Sequence, residues 1–149
     1  MEMSGSERIQ APREKVWEAL NDPDILKQCI PGCQTLEMTG DDEMAATVKL
    51  KIGVVSANFK GKVTLQNMNP PESYTISGEG QGGVAGFAKG GADVALEDHG
   101  TETVLNYACK AQVGGKIAQM GSRLIDSTAK KLAGQFFTKF NQVVSEANA

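Results

Sequence analysis

Few side chains in this sequence are suited to chemistry, and their spacing argues against most of it. There are three cysteines, Cys29, Cys33 and Cys109, and a single histidine, His99. Cys29-x-x-x-Cys33 with His99 suggests a metal site at first sight. A structural zinc site wants four ligands, usually in two close pairs, and no second pair exists. Pro31 and Gly32 between the two cysteines mark a turn leaving a helix, so turn or buried thiols are expected there and no metal. Gly78-Glu79-Gly80-Gln81-Gly82-Gly83 spells G-x-G-x-x-G, a phosphate cradle only when a strand precedes it and a helix comes after it. The next residues are Val84-Ala85-Gly86-Phe87-Ala88-Lys89-Gly90-Gly91, a run that sustains no helix. Glycines that let adjacent strands bend sharply are the better account. His99 falls in a predicted hairpin turn and Cys109 at the far end of the same hairpin arm, so no nucleophile meets a base. No catalytic residue, metal or cofactor is expected.

The elements that position these residues follow from hydrophobic periodicity. A short strand over about Glu2 to Ile9 is followed by Ala11-Pro12, with Pro12 in a first helical turn where its missing N–H costs nothing. Val16, Trp17 and Leu20 give that helix its apolar stripe. Asn21-Asp22-Pro23 stops it and starts a second, with Asp22 as N-cap; Ile25, Leu26, Cys29 and Ile30 form the apolar side. From Cys33 to about Val113 the period becomes two. Met44, Ala46, Val48, Leu50 and Ile52 alternate with polar neighbours, as do Phe59, Val63 and Leu65, then Tyr74 and Ile76, then Val94 and Leu96, then Leu105, Tyr107 and Cys109. Asn67 to Pro71 reads as a loop. About six consecutive strands result, an antiparallel meander with one face on a core. After Gly114-Gly115 the period returns to 3.6: Ile117, Met120, Leu124, Thr128 and Leu132 share one stripe of a helix predicted from Lys116 to about Ala147, roughly 45 Å long. A helix so long and amphipathic must lie across the apolar face of the sheet. One α+β domain over 1–149 is predicted, a curved antiparallel sheet around a long C-terminal helix, with two short helices after the first strand.

Composition agrees. The 149 residues carry 15 Lys and Arg against 18 Asp and Glu, for a net charge of −3, which excludes a globally basic nucleic-acid binder. The N-terminus has neither a basic n-region nor an apolar h-region, no stretch approaches about 18 apolar residues, and an odd number of thiols suits a reducing compartment, so a cytoplasmic protein is expected. Glycine is in excess, at 17 residues, and is concentrated between Gly78 and Gly91.

The order of elements resembles the helix-grip fold of the START and birch-pollen-allergen superfamily. Ala11-Pro12-Arg13-Glu14-Lys15-Val16-Trp17-Glu18-Ala19-Leu20-Asn21-Asp22-Pro23 resembles the superfamily opening. Cys29-Ile30-Pro31-Gly32-Cys33 is narrower, and Gly114-Gly115-Lys116-Ile117-Ala118-Gln119-Met120-Gly121-Ser122-Arg123-Leu124-Ile125 narrower still. Together they resemble the family of the G subunit of carbon monoxide dehydrogenase over nearly the whole chain. The resemblance implies a non-catalytic accessory protein of a molybdenum hydroxylase. Such a protein would handle a lipoquinone in a hydrophobic cavity and help recruit the enzyme to the cytoplasmic membrane. Many members continue through a linker to an apolar anchor. This chain ends at Ala149, so the cavity expectation stands ahead of an anchor.

On that reading Leu50, Ile52, Phe59, Ile76, Leu105, Met120 and Leu124 are expected to wall a ligand cavity, with Cys109 as a small neighbour. Tyr74, Tyr107 and Thr128 are expected either to pack in the core or to offer a hydroxyl to a polar head group. Sequence alone does not separate wall from packed core. The last helix carries Lys116, Arg123, Lys130, Lys131 and Lys139 against Asp126 and Glu146. Lys130, Lys131 and Lys139 are expected to be either a solvated face or a docking surface for an acidic partner or an anionic leaflet. Two alternatives remain: an interaction module with no ligand, and an enzyme of the aromatase or cyclase kind found on this fold.

Overall fold

Alternating strands that are apolar on one side need a layer to cover that side, and the chain supplies it last. The computed structural model describes residues 1–148. The elements run β1 (Glu2–Ile9), α1 (Arg13–Leu20), α2 (Pro23–Cys29), β2 (Cys33–Gly40), β3 (Glu43–Ile52), β4 (Val55–Asn69), β5 (Ser73–Gln81), β6 (Phe87–His99), β7 (Glu102–Gly114) and α3 (Ser122–Asn148). All seven strands form one antiparallel sheet in the order β1-β7-β6-β5-β4-β3-β2. Six successive hairpin-linked strands make the meander, and β1 returns to lie beside β7, with Gly5 opposite Tyr107.

The short helices begin where their sequence signals place them. The Asp22 carboxylate accepts the Asp24 N–H at 2.9 Å and Pro23 occupies the first turn of α2. Gly32, in the turn after that helix, has φ +76, and a Cβ there would overlap the Lys49 carbonyl oxygen. Its own carbonyl accepts the Lys49 N–H at 2.9 Å, tying the end of α2 to β3. Only glycine satisfies both demands, which accounts for the Pro31-Gly32 pair.

The final helix is shorter than periodicity predicts. Residues Lys116–Met120 form a 3₁₀ turn, and Gly121, at φ +94, separates it from α3. The break lets Ile117 point inward and become buried while α3 takes a new direction. β4 continues through Asn69, three residues into the predicted Asn67–Pro71 loop, and the turn falls at residues 70–72. Within the glycine-rich run, β5 extends to Gln81 and β6 starts at Phe87, joined by a 3₁₀ turn at Gly83–Ala85. The G-x-G-x-x-G string is therefore a strand end and a hairpin tip. Gly61, on the inward face of β4, approaches β5 so closely that a Cβ would lie 2.7 Å from the Glu79 carbonyl oxygen. Close approach of this kind is what a sharply curved sheet requires.

Two buried clusters hold the layers together. The larger joins Ile9, Ala11, Val16, Leu20, Leu26 and Cys29 to Tyr74, Leu96, Leu105, Phe140 and Val144. Phe140 is fully buried and stacks on Phe136 at 5.5 Å. The Thr103 hydroxyl donates to the Ala11 carbonyl at 2.8 Å, which satisfies the one polar side chain buried among these residues. The smaller cluster, Val55, Phe59, Ala85 and Ile117, closes the other end, where the β3–β4 and β5–β6 hairpins meet the 3₁₀ turn before α3. No helix among the described residues is long and apolar enough to cross a membrane.

Candidate functional site

The first half of α3 lies between the two clusters and is covered least. Leu124, Thr128 and Leu132 recur at a spacing of four, which puts them on one face of the helix. Each is only half-buried. They form one wall of a cleft of about 600 Å³; Leu50 of β3 and the Pro31-Gly32 turn form the other. The β3–β4 turn closes one end, pressed so near α3 that a Cβ on Gly53 would lie 3.0 Å from Leu124 Cδ2. Leucines and Pro31 supply an apolar floor. Lys49, Lys51, Lys131 and Gln135 stand at the rim, and no acidic residue lines the cleft. The Ser127 hydroxyl donates to the Leu124 carbonyl at 3.1 Å and is thereby occupied, whereas Thr128 brings a hydroxyl to the wall itself.

Two hollows of about 680 and 750 Å³ are larger, but both lie across the outer side of the sheet. Lys62, Glu79, Lys89, Lys110 and Gln112 line the first, and Ser4, Thr75, Asp93 and Ala108 the second. The smaller cleft is the one that lies between α3 and the sheet, so volume is a poor guide here.

The expected site residues divide three ways. Leu50, Leu124 and Thr128 converge on the cleft. Ile52, Phe59 and Met120 belong to the smaller cluster at its closed end, together with Leu50. Ile76, Tyr107, Tyr74 and Leu105 belong to the larger cluster. Tyr74 and Leu105 are sealed, at 4% and 1% exposure, so they are packed core rather than wall. The reason is the first short helix: Trp17 packs edge-on against Tyr74 with ring centroids 5.3 Å apart. Burial drives the Tyr74 phenol well above its ordinary pKa. Tyr107 is half-buried, stacks on Phe137 at 5.3 Å and lies over Gly5, where a Cβ would come within 2.7 Å of its hydroxyl. It faces the β1 margin, not the cleft. Cys109 sits half-buried opposite Met3.

Lys130, Lys131 and Lys139 are exposed, but they do not form one patch. Lys131 is on the cleft rim, whereas Lys139 lies close enough to act electrostatically on Cys29 at the end of α2. Leu132, Gln135 and the rim residues Lys49 and Lys51 complete the cleft. Leu132 has a visible signal in the helical stripe; the lysines, on the polar parity of β3, have none.

Nucleophilic chemistry has no support in this arrangement. Burial raises the pKa of Cys29, only partly offset by Lys139, and that of Cys33, only partly offset by Lys27. Burial likewise raises Cys109 against the opposing Met3 backbone bond and the N-terminal charge. All three are thiols at neutral pH and poor nucleophiles. His99 is exposed, 3.6 Å from Glu97. Among the described residues no three His, Cys, Asp or Glu side chains are grouped to hold a metal ion.

A curved antiparallel sheet gripping a long C-terminal helix, with two short helices after the first strand, is a START-like helix-grip fold. Solved structures agree on the fold. A conserved protein from Geobacillus kaustophilus superposes with a TM-score of 0.92 at 31% identity, over 100% of this chain and 98% of that one. A START superfamily protein from Mycobacterium smegmatis gives 0.66 at 16% identity, covering 95% and 98%. The Zhui aromatase/cyclase from Streptomyces sp. R1128 gives 0.66 at 9%, covering 97% and 93%. The last two share the fold alone. No curated protein matches the sequence. Residues 5–145 match the family of the G subunit of carbon monoxide dehydrogenase (CoxG), and the chain belongs to that family.

Proposed function

We propose that the cleft between α3 and β3 holds a lipophilic small molecule, a lipoquinone fitting it best. On this reading the protein serves, without catalysis of its own, as an accessory protein of a molybdenum hydroxylase of the carbon monoxide dehydrogenase type. The observation that carries this is the convergence of Leu50, Leu124, Thr128 and Leu132 on a cleft with an apolar floor and a cationic rim. An apolar tail laid along the leucines removes their exposed surface from water, at about 25 cal/mol per Å². Ring carbonyls at the other end accept hydrogen bonds from Thr128 or the rim lysines, which lack an acidic neighbour in the cleft. Ile52, Phe59 and Met120 back the closed end, whereas Ile76, Tyr107 and Cys109 stand on β5 and β7, apart from the cleft. The protein works in the cytoplasm, close to the membrane that holds the quinone pool.

Native mass spectrometry of protein purified from its own host tests this reading. Adduct mass matching a lipoquinone is expected, and it should be displaced by an added short-chain analogue. Protein that is consistently empty and ignores added quinones contradicts it.

A second reading, a recruitment module that needs no ligand, is favoured by the exposure of Lys130 and Lys139. It predicts that charge reversal at Lys130 and Lys131 weakens capture of a hydroxylase subunit while ligand-blocking changes at Leu124 do not. A cyclase would need polar groups converging inside the cleft, and the polar side chains lining it besides the lysines are Ser127, whose hydroxyl is held by the Leu124 carbonyl, Thr128 and Gln135.

A further inference from the structure

We propose that β1 is a pairing edge for a second copy of this chain, which adds its own β1 antiparallel about a twofold axis at Gly5. Edge strands present a row of unpaired N–H and C=O groups, and the two edges of this sheet are treated differently. β2 breaks register between Cys33 and Thr35 and again between Met38 and Gly40, irregularities that blunt an edge. β1 keeps an unbroken register with β7 from Glu2 to Ile9 and contains no proline. Met1 exchanges both backbone hydrogen bonds with Ala111, each at 2.9 Å. By alternation Met3, Gly5, Glu7 and Ile9 bond to β7, whereas Glu2, Ser4, Ser6 and Arg8 turn their main-chain groups away from it.

One end of that free row is already used as an edge. The side-chain amide of Asn141 on α3 accepts the Gln10 N–H on Oδ1 at 3.0 Å and donates through Nδ2 to the Arg8 carbonyl at 3.4 Å. These are the two bonds a neighbouring strand would make. The main-chain groups of Glu2, Ser4 and Ser6 have no such partner among the described residues. A second β1 supplies them: Ser4 and Ser6 of the two copies exchange backbone bonds on both sides of the axis, and each Arg8 N–H donates to the Glu2 carbonyl across it.

The side chains select a copy of the same strand. Pairing centred on Gly5 sets Glu2 opposite Arg8 of the second copy, and the twofold axis repeats the pair. Both residues are exposed on the outer face of the sheet. Within one chain Lys110 lies 3.8 Å from Glu2, and Glu102 lies 2.6 Å from Arg8. Across the axis the charges therefore run Lys110, Glu2, then Arg8 and Glu102 of the second copy, alternating in sign. Opposite charges facing one another on paired strands attract, and like charges repel. Centring the pair on Ser4 or Ser6 leaves both Glu2 and Arg8 without an opposite charge. Gly5 suits the axis itself, where facing Cα atoms of a non-hydrogen-bonded pair come within about 4.5 Å. Tyr107 already covers it, and a Cβ there would lie 2.7 Å from the phenol oxygen. The cleft lies at β3, beside the other edge of the sheet, so pairing through β1 leaves it open.

Sedimentation velocity on the untagged full chain tests this. A dimer of about twice 15.8 kDa is expected, dissociating on dilution. Glu2→Arg alone and Arg8→Glu alone each set like charges opposite one another twice and should weaken association by about tenfold or more. An equimolar mixture of these two variants regains opposite charges at both positions and should form a heterodimer as tight as the parent dimer. Ser4→Pro removes an N–H that β7 does not use, so it should abolish the dimer while the circular dichroism melt stays near that of the parent. Hydrogen exchange of the Ser4 and Ser6 amides should slow as the dimer forms. A monomer at every concentration up to the millimolar range, a dimer indifferent to Ser4→Pro, or charge variants that do not associate when mixed would overturn the proposal. Protection of those two amides only when a different protein is added would assign the edge elsewhere and overturn it as well. Ligand-free protein suffices, so the outcome is independent of the ligand reading.

Discussion

Replacing Leu105 and Leu124 by alanine, one at a time, separates packed core from cavity wall. Leu105 is 1% exposed among Ile9, Leu96 and Phe140, so truncation leaves a void in rigid surroundings. Such a change costs about 3 kcal/mol. For a chain of 149 residues, at about 3 °C per kcal/mol, the melting temperature falls by about 9 °C. Leu124 already faces the cleft and is half-buried, so its truncation widens a space that exists and costs about 1 kcal/mol, or about 3 °C. Binding should follow the opposite order. Loss of one leucine wall lowers affinity for a short-chain quinone by about tenfold, whereas Leu105→Ala leaves it within about threefold. Differential scanning fluorimetry gives the first quantity and fluorescence titration the second. If Leu124→Ala destabilises as much as Leu105→Ala and leaves binding untouched, the space beneath α3 is filled and the cavity reading is wrong.

Other consequences are local. Gly32→Ala forces a Cβ onto the Lys49 carbonyl at a left-handed φ, and urea denaturation should show a loss of about 2 kcal/mol or more. Thr103→Val removes the buried donor to the Ala11 carbonyl and should cost about 1–2 kcal/mol by the same assay. The Glu102 carboxylate lies below its usual pKa because it accepts from Arg8 at 2.6 Å, aided by the Arg8 charge. Its contribution is therefore complete above the unfolded carboxylate pKa and lost as pH falls through the lower folded value. Glu102→Gln should flatten the acid limb of a melting-temperature profile below about pH 5, slightly, since the pair is exposed. Burial keeps Cys29 protonated, so a thiol reagent at about pH 8 should modify it far more slowly in the folded protein than in urea.

Much of the architecture was legible because periods of 2 and 3.6 are direct consequences of burial on one face. The six meander strands, the Asp22 cap and the Pro31-Gly32 stop all lie where those rules put them. The break at Gly121 was not legible. Ile117 and Met120 continue the helical stripe in sequence, and only the φ of +94 separates them from α3. The site was harder. Tyr74 and Leu124 sit on equally apolar parities, and what distinguishes them is the third layer: Trp17 seals one, whereas the other stays half-buried beside the cleft. The rim lysines were invisible for a related reason, since Lys49 and Lys51 read as a solvated strand face until the turn at Gly32 brings the opposite wall beside them.

The most direct measurement labels the methyl groups of leucine and follows their NMR shifts during titration with a short-chain lipoquinone. Leu50, Leu124 and Leu132 should move together with one binding curve while Leu20, Leu96 and Leu105 stay fixed. Shifts confined to the second group or to the outer face of the sheet, or no shifts at saturating ligand, would contradict a lipophilic site between α3 and β3.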